Sequence, residues 1–111
     1  MKLNILKKFK YKNTTRESKV FSESEALKIA IKLKIDFAKV KFNLLDFTKG
    51  MNVELEHGKV NKKTNVTNNN PLLTGKIALA HLNEFPDYYK RLEKLENDAN
   101  KFWEGQSKFR N

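Results

Sequence analysis

The stretch "NLLDFTKGMNVELEHG", Asn43 to Gly58, decides the fold. Leu44, Phe47, Met51 and Leu55 recur at three- and four-residue intervals, the spacing that gathers side chains on one stripe of an α-helix. Asn43 supplies a side-chain oxygen just before that stripe, as an N-terminal cap does. The spacing predicts a helix from about Leu44 to His57, with Gly58 as a left-handed C-terminal cap. Gly50 interrupts it at a cost of up to about 1 kcal/mol against alanine. A glycine kept there implies either close packing by another element or a break.

Upstream, "SESE" has the capping-box form, with Ser22 as N-cap and Glu25 three residues on. It opens a helix to about Lys34, whose apolar face holds Leu27, Ala30 and Ile31, widened by Ala26, Ile29 and Leu33. Phe37, Val40 and Phe42 in the connector plug the core. Downstream, "KVNKKTNVTNNNP" reads as a polar loop in which asparagines bond their own backbone. Thr74 caps a third helix through Ile77, Ala78, Ala80, His81 and Phe85. Pro86 forces a kink or a fresh start. A last helix from about Pro86 to Glu104 carries Tyr88, Leu92, Leu95, Ala99 and Phe102, with Trp103 as a large anchor and Gly105 as its end. The reading is an all-α domain, a small bundle of about four helices over residues 22–111. Residues 1–21 lack helical periodicity and form a basic extended arm.

Charge divides the chain in the same place. Residues 1–50 hold 13 Lys/Arg against 5 Asp/Glu, whereas residues 51–111 hold 10 against 8. Within the arm, Lys7, Lys8, Lys10, Lys12 and Arg16 alternate with or follow Phe9 and Tyr11. Such a leader attracts polyanions: nucleic acid, an anionic membrane or an acidic protein face. Cysteine is absent, so there is no disulfide framework, thiolate metal site or cysteine nucleophile. No apolar run approaches the roughly 20 residues that span a bilayer, and the start has no signal-peptide core. "LTGK" lacks the first glycine of a phosphate-binding loop.

Chemistry is concentrated in two matched pairs. Glu54 and His57 stand three residues apart, as do His81 and Glu84, and these are the only two histidines. On a helix such residues are neighbours. Three uses follow. They form an interhelical polar clasp, they hold a divalent metal such as zinc, iron or manganese, or they serve acid–base catalysis. The clasp is the preferred reading, and no cofactor is expected. The tyrosines of "PDYY" are read as packing residues.

"GMNVELEHGKV" and "TNVTNNNPLLTGKIALAHLNEFPDYYKRLEKLE" resemble a family of short uncharacterised domains encoded by tailed phages, large DNA viruses and some bacteria. The resemblance spans about Ile35 to Glu96. It implies a compact helical domain with the Glu-His-Gly corner packed against the "ALAHLNEFPDYY" helix, and it implies no activity, substrate or cofactor. The family often has an acidic residue where this chain has Ala80, which weakens the metal reading. The arm and the Phe102-Trp103 tail lie outside it. The leading expectation is a non-enzymatic, virus- or phage-associated binding protein, a minor virion component that docks onto a protein assembly such as a virion shell. Its anchors are Phe9, Tyr11, Phe102 and Trp103 beside the arm cations, and its location is the virion or the host cytoplasm. The alternatives are a nucleic-acid-binding accessory protein working through phosphate contacts of the arm, and a metal-binding protein or metal-dependent enzyme using Glu54, His57, His81 and Glu84.

Overall fold

A computed structural model describes residues 20–105. Within them the chain is all-α, with four helices and one 3-10 turn. They are α1 (Glu23–Lys32), α2 (Leu44–Val60), the 3-10 turn (Lys62–Thr64), α3 (Pro71–Glu84) and α4 (Tyr88–Phe102). The chain divides into two compact units, and the described parts are Val20–Tyr89 in one and 90–105 in the other.

The first unit is built around α2, against which both α1 and α3 pack while also packing on each other. That central position explains the breadth of its buried surface. Phe47, Thr48, Gly50, Met51, Val53, Leu55 and Glu56 are all buried. Ala26, Ile29 and Ala30 from α1, Phe42 from the connector, Ala78 and Leu82 from α3, and Tyr89 complete the core. Phe37 meets Phe42 edge to face, with ring centroids 6.0 Å apart. The buried hydroxyls of Thr48 and Thr74 are satisfied within their own helices. Thr48 Oγ1 donates to the Leu44 carbonyl at 2.8 Å and Thr74 Oγ1 to that of Asn70 at 2.7 Å.

The helix starts are set by side-chain caps. At α1 the Glu25 N–H donates to Ser22 Oγ at 3.1 Å, and the Ser22 N–H donates to Glu25 Oε1 at 2.8 Å. At α2 the same reciprocal pair joins Asn43 and Asp46, at 2.8 and 3.0 Å. Each satisfies two donors that a helix end would otherwise leave open. The third start lies earlier than the sequence reading places it. Asn70, not Thr74, accepts from the Leu73 N–H at 2.9 Å, and Pro71 occupies the first turn. Proline suits that position because its missing donor has no intrahelical acceptor there.

Other boundaries shift for physical reasons. α1 ends at Lys32, and Lys34 turns into the left-handed region with φ 60°. α2 runs through Gly58 to Val60, so Gly58 is no terminal cap. A Cβ at Gly58 would stand 2.8 Å from Asn65 Oδ1, so the glycine makes room for the returning loop. In that loop Asn65 Oδ1 accepts from the Asn68 N–H and Asn61 Oδ1 from the Lys63 N–H. Asn68 and Asn69 adopt φ of 54° and 66°, a conformation asparagine tolerates better than most residues. Phe85 closes α3 as its C-cap and is 47% exposed, and α4 begins at Tyr88 rather than Pro86. In α1, Leu27 and Ile31 face outward and are 40% and 64% exposed, contrary to their place on the predicted core stripe. Gly75 explains the shift. A Cβ there would lie 2.5 Å from Ile29 Cγ2, so α3 offers a notch that seats Ile29 and turns its neighbours away.

Candidate functional site

Gly50 and Glu54 lie four residues apart on α2, so they share a face with the glycine gap one turn below the carboxylate. The ring of Tyr89 lies across that gap. Its Cε2 would stand 2.7 Å from a Cβ at Gly50. Its hydroxyl donates to Glu54 Oε2 at 2.7 Å. Burial pushes the Tyr89 hydroxyl far above the usual tyrosine range, and the Glu54 carboxylate beside it pushes the same way. The tyrosine therefore stays protonated and serves as a donor, not as a base.

His81 of α3 completes the group. Its Nε2 lies 3.7 Å from Glu54 Oε2, and its Nδ1 lies 3.7 Å from Glu84 Oε1. Both distances are too long for direct hydrogen bonds and become ion pairs when the ring is protonated. Tyr88 stacks on the imidazole with centroids 4.1 Å apart and planes 9° from parallel. Tyr89 meets the same imidazole edge to face at 6.2 Å. Glu54 is mostly buried, with its side chain 12% exposed, while Glu84 is 68% exposed. The pairing with Glu54 thus bridges two helices from a protected position. The one with Glu84 is a surface contact of small energetic weight.

Three of the four singled-out residues therefore meet: Glu54, His81 and Glu84. The fourth, His57, is half-buried one turn further along α2. Among the described residues no group of three or more His, Asp or Glu side chains is arranged to hold a metal ion. The Glu54 oxygen nearest His81 is the acceptor of the Tyr89 hydroxyl, and Tyr88 covers a face of the imidazole. The arrangement is a clasp that ties α2 and α3 to Tyr88 and Tyr89. The "PDYY" tyrosines carry this role as packing residues, and the close neighbour that Gly50 signals in the sequence is Tyr89.

A second polar tie had no signal in the sequence pattern. The side-chain amide of Asn52 brackets the backbone of Phe21. It accepts from the Phe21 N–H at 2.7 Å and donates to the Phe21 carbonyl at 3.1 Å. Of the anchor residues, Phe102 is 67% exposed and Trp103 half-buried, their rings edge to face at 4.9 Å. Lys7, Lys8, Phe9, Lys10, Tyr11, Lys12 and Arg16 lie outside the described residues. No helix of the described residues is long and apolar enough to cross a membrane.

No curated protein and no solved structure matches the chain. A family model does, described as a protein of unknown function (DUF5661), over residues 26–98. That span takes in the core of α1, the whole of α2 and α3, and both clasp tyrosines, and on it the chain belongs to the DUF5661 family.

Proposed function

We propose that the chain is a non-enzymatic binding protein of viral or phage origin. In this reading it is a minor component of a larger protein assembly such as a virion shell, and it is found in the virion or the host cytoplasm. The observation that carries the reading is where the charge lies. Seven cations against Glu17 crowd residues 1–20, outside the family domain that begins at residue 26. The helical body supplies a folded unit, and the arm supplies long-range attraction to an acidic protein face. Phe9, Tyr11, Phe102 and Trp103 supply the apolar part of the contact. The viral origin is supported by the resemblance of Gly50–Gly58 and Thr74–Leu92 to domains encoded by tailed phages and large DNA viruses, and by some bacteria. The commitment of Glu54, His81 and Tyr89 to an interhelical clasp favours binding over catalysis.

Retention on immobilised polyglutamate and on duplex DNA, measured across salt concentrations, tests this reading. The full chain is expected to be held on polyglutamate at low salt, and a chain lacking residues 1–20 is expected to pass through. Equal retention of both chains overturns docking by the arm. A clear preference for the duplex, with several counterions released per bound chain, moves the reading to a nucleic-acid accessory protein.

A further inference from the structure

The outer face of α1 carries an apolar ridge that the fold leaves uncovered. Leu27 and Ile31 stand one helical turn apart and are 40% and 64% exposed. Lys28 and Lys32 each follow at the next position, so a ladder of two lysines runs beside the two aliphatics. Both lysines are exposed, as is Lys34 in the left-handed turn that follows. Among the described residues none of these three lysines takes part in an ion pair. The nearest acid on the helix, Glu25, has its Oε1 engaged by the Ser22 N–H in the capping box. The face therefore joins uncovered aliphatic surface to uncompensated positive charge.

We propose that this face docks an acidic amphipathic segment of a partner protein. Aliphatic side chains at one-turn spacing cover Leu27 and Ile31, and Asp or Glu beside them pairs with Lys28, Lys32 and Lys34. This is helix-on-helix recognition with charges beside the apolar seam setting partner choice. The proposal rests on the docking reading above and adds a second contact surface on the body. Charge complementarity selects the occupant. A second copy of a chain with net charge +10 would set lysines against lysines. Nucleic acid would engage the lysines but bring phosphates over Leu27 and Ile31. A membrane gains little from two aliphatics on a helix whose other face, Ala26, Ile29 and Ala30, is committed to the core.

The test uses the full chain and a fluorescent 18-residue helical peptide with leucines at one-turn spacing flanked by glutamates. A twin peptide flanked by lysines is the control. The acidic peptide is expected to bind and the basic one not. Ile31→Ser, and separately Lys28→Glu with Lys32→Glu, are expected to weaken binding about tenfold or more, each about 1.4 kcal/mol or more. The charge-reversed chain is expected to gain the basic peptide, which a merely structural role would not produce. Replacing Lys7, Lys8, Lys10 and Lys12 by glutamine is expected to change affinity less than about threefold. Circular dichroism melting confirms that each variant is folded. Unchanged binding of the two face variants overturns the proposal. If the glutamine-substituted arm alone abolishes binding, the arm reading stands and this one fails. An Ile31-dependent dimer in sedimentation, or Ile31-dependent binding to phosphatidylglycerol vesicles, also overturns it.

Discussion

A Cβ added at Gly50 would stand 2.7 Å from Tyr89 Cε2 and 3.2 Å from two further ring atoms. The ring has little freedom to retreat, because it is 5% exposed and its hydroxyl is tied to Glu54. Alanine would gain about 1 kcal/mol of helix propensity, against an overpacking cost of about 1–3 kcal/mol. Gly50→Ala is thus expected to destabilise the protein by up to about 2 kcal/mol in urea unfolding. In a Tyr89→Leu background the same change is expected to be neutral or stabilising, because the obstructing ring edge is gone. Such non-additivity is the signature of two residues in contact. If the two substitutions add, the ring is not what holds position 50 to glycine. The need for a close neighbour or a break at Gly50 is legible in the sequence. The identity of that neighbour is not, because Tyr89 approaches Glu54 across 35 residues of chain.

At the scale of the helix, α1 shows where periodicity runs out. Leu27, Ile29, Ala30, Ile31 and Leu33 cover so much of its circumference that several arcs qualify as the buried one. Its start was legible because Ser22 and Glu25 form a local device that needs no other element. The choice of arc is made by α3, whose Gly75 leaves space for Ile29 Cγ2 and for Leu33 Cδ1 at 3.4 Å. Two aliphatics two positions apart should then differ sharply. Ile29→Ala is expected to cost about 2–4 kcal/mol, as removal of a buried side chain does. Ile31→Ala is expected to stay within about 0.5 kcal/mol, as surface changes usually do. Thermal or urea unfolding of the two variants checks the contrast. Equal losses would return Ile31 to the core and remove the basis for docking on this face. The same logic explains Asn70. Threonine at position 74 has the chemistry of a cap, but Pro71 fixes the start one turn earlier, and Thr74 bonds back to Asn70 from inside the helix.

At the scale of the molecule, fold class and helix number were legible because four apolar stripes separated by Asn, Pro and Gly signals leave few alternatives. The clasp was legible in half. The spacing His81–Glu84 and the carboxylate Glu54 mark it, whereas the tyrosines that occupy it carry no sequence pattern of their own. The start of the folded body is also set by tertiary structure. Asn52 on the central helix holds both backbone polar groups of Phe21, so the order of the body begins before the Ser22 cap. Three ties of α1 are made from Phe21 onward: the bracket, the capping box and the Ile29 notch. A chain lacking residues 1–19 retains all three. It is expected to keep a cooperative melt and a free energy of unfolding within about 0.5 kcal/mol of the full chain. Asn52→Ala in the full chain is expected to cost more, about 1–3 kcal/mol, because two partly buried backbone groups lose their partner. Circular dichroism melts and urea titrations of the two proteins give the ranking. If the truncated chain melts without cooperativity while Asn52→Ala is benign, then Leu3, Ile5, Phe9 or Tyr11 belongs to the core and the arm is not a separate docking element. If the ranking holds, the basic segment is dispensable for folding, and its seven cations are available for the contact with an acidic partner.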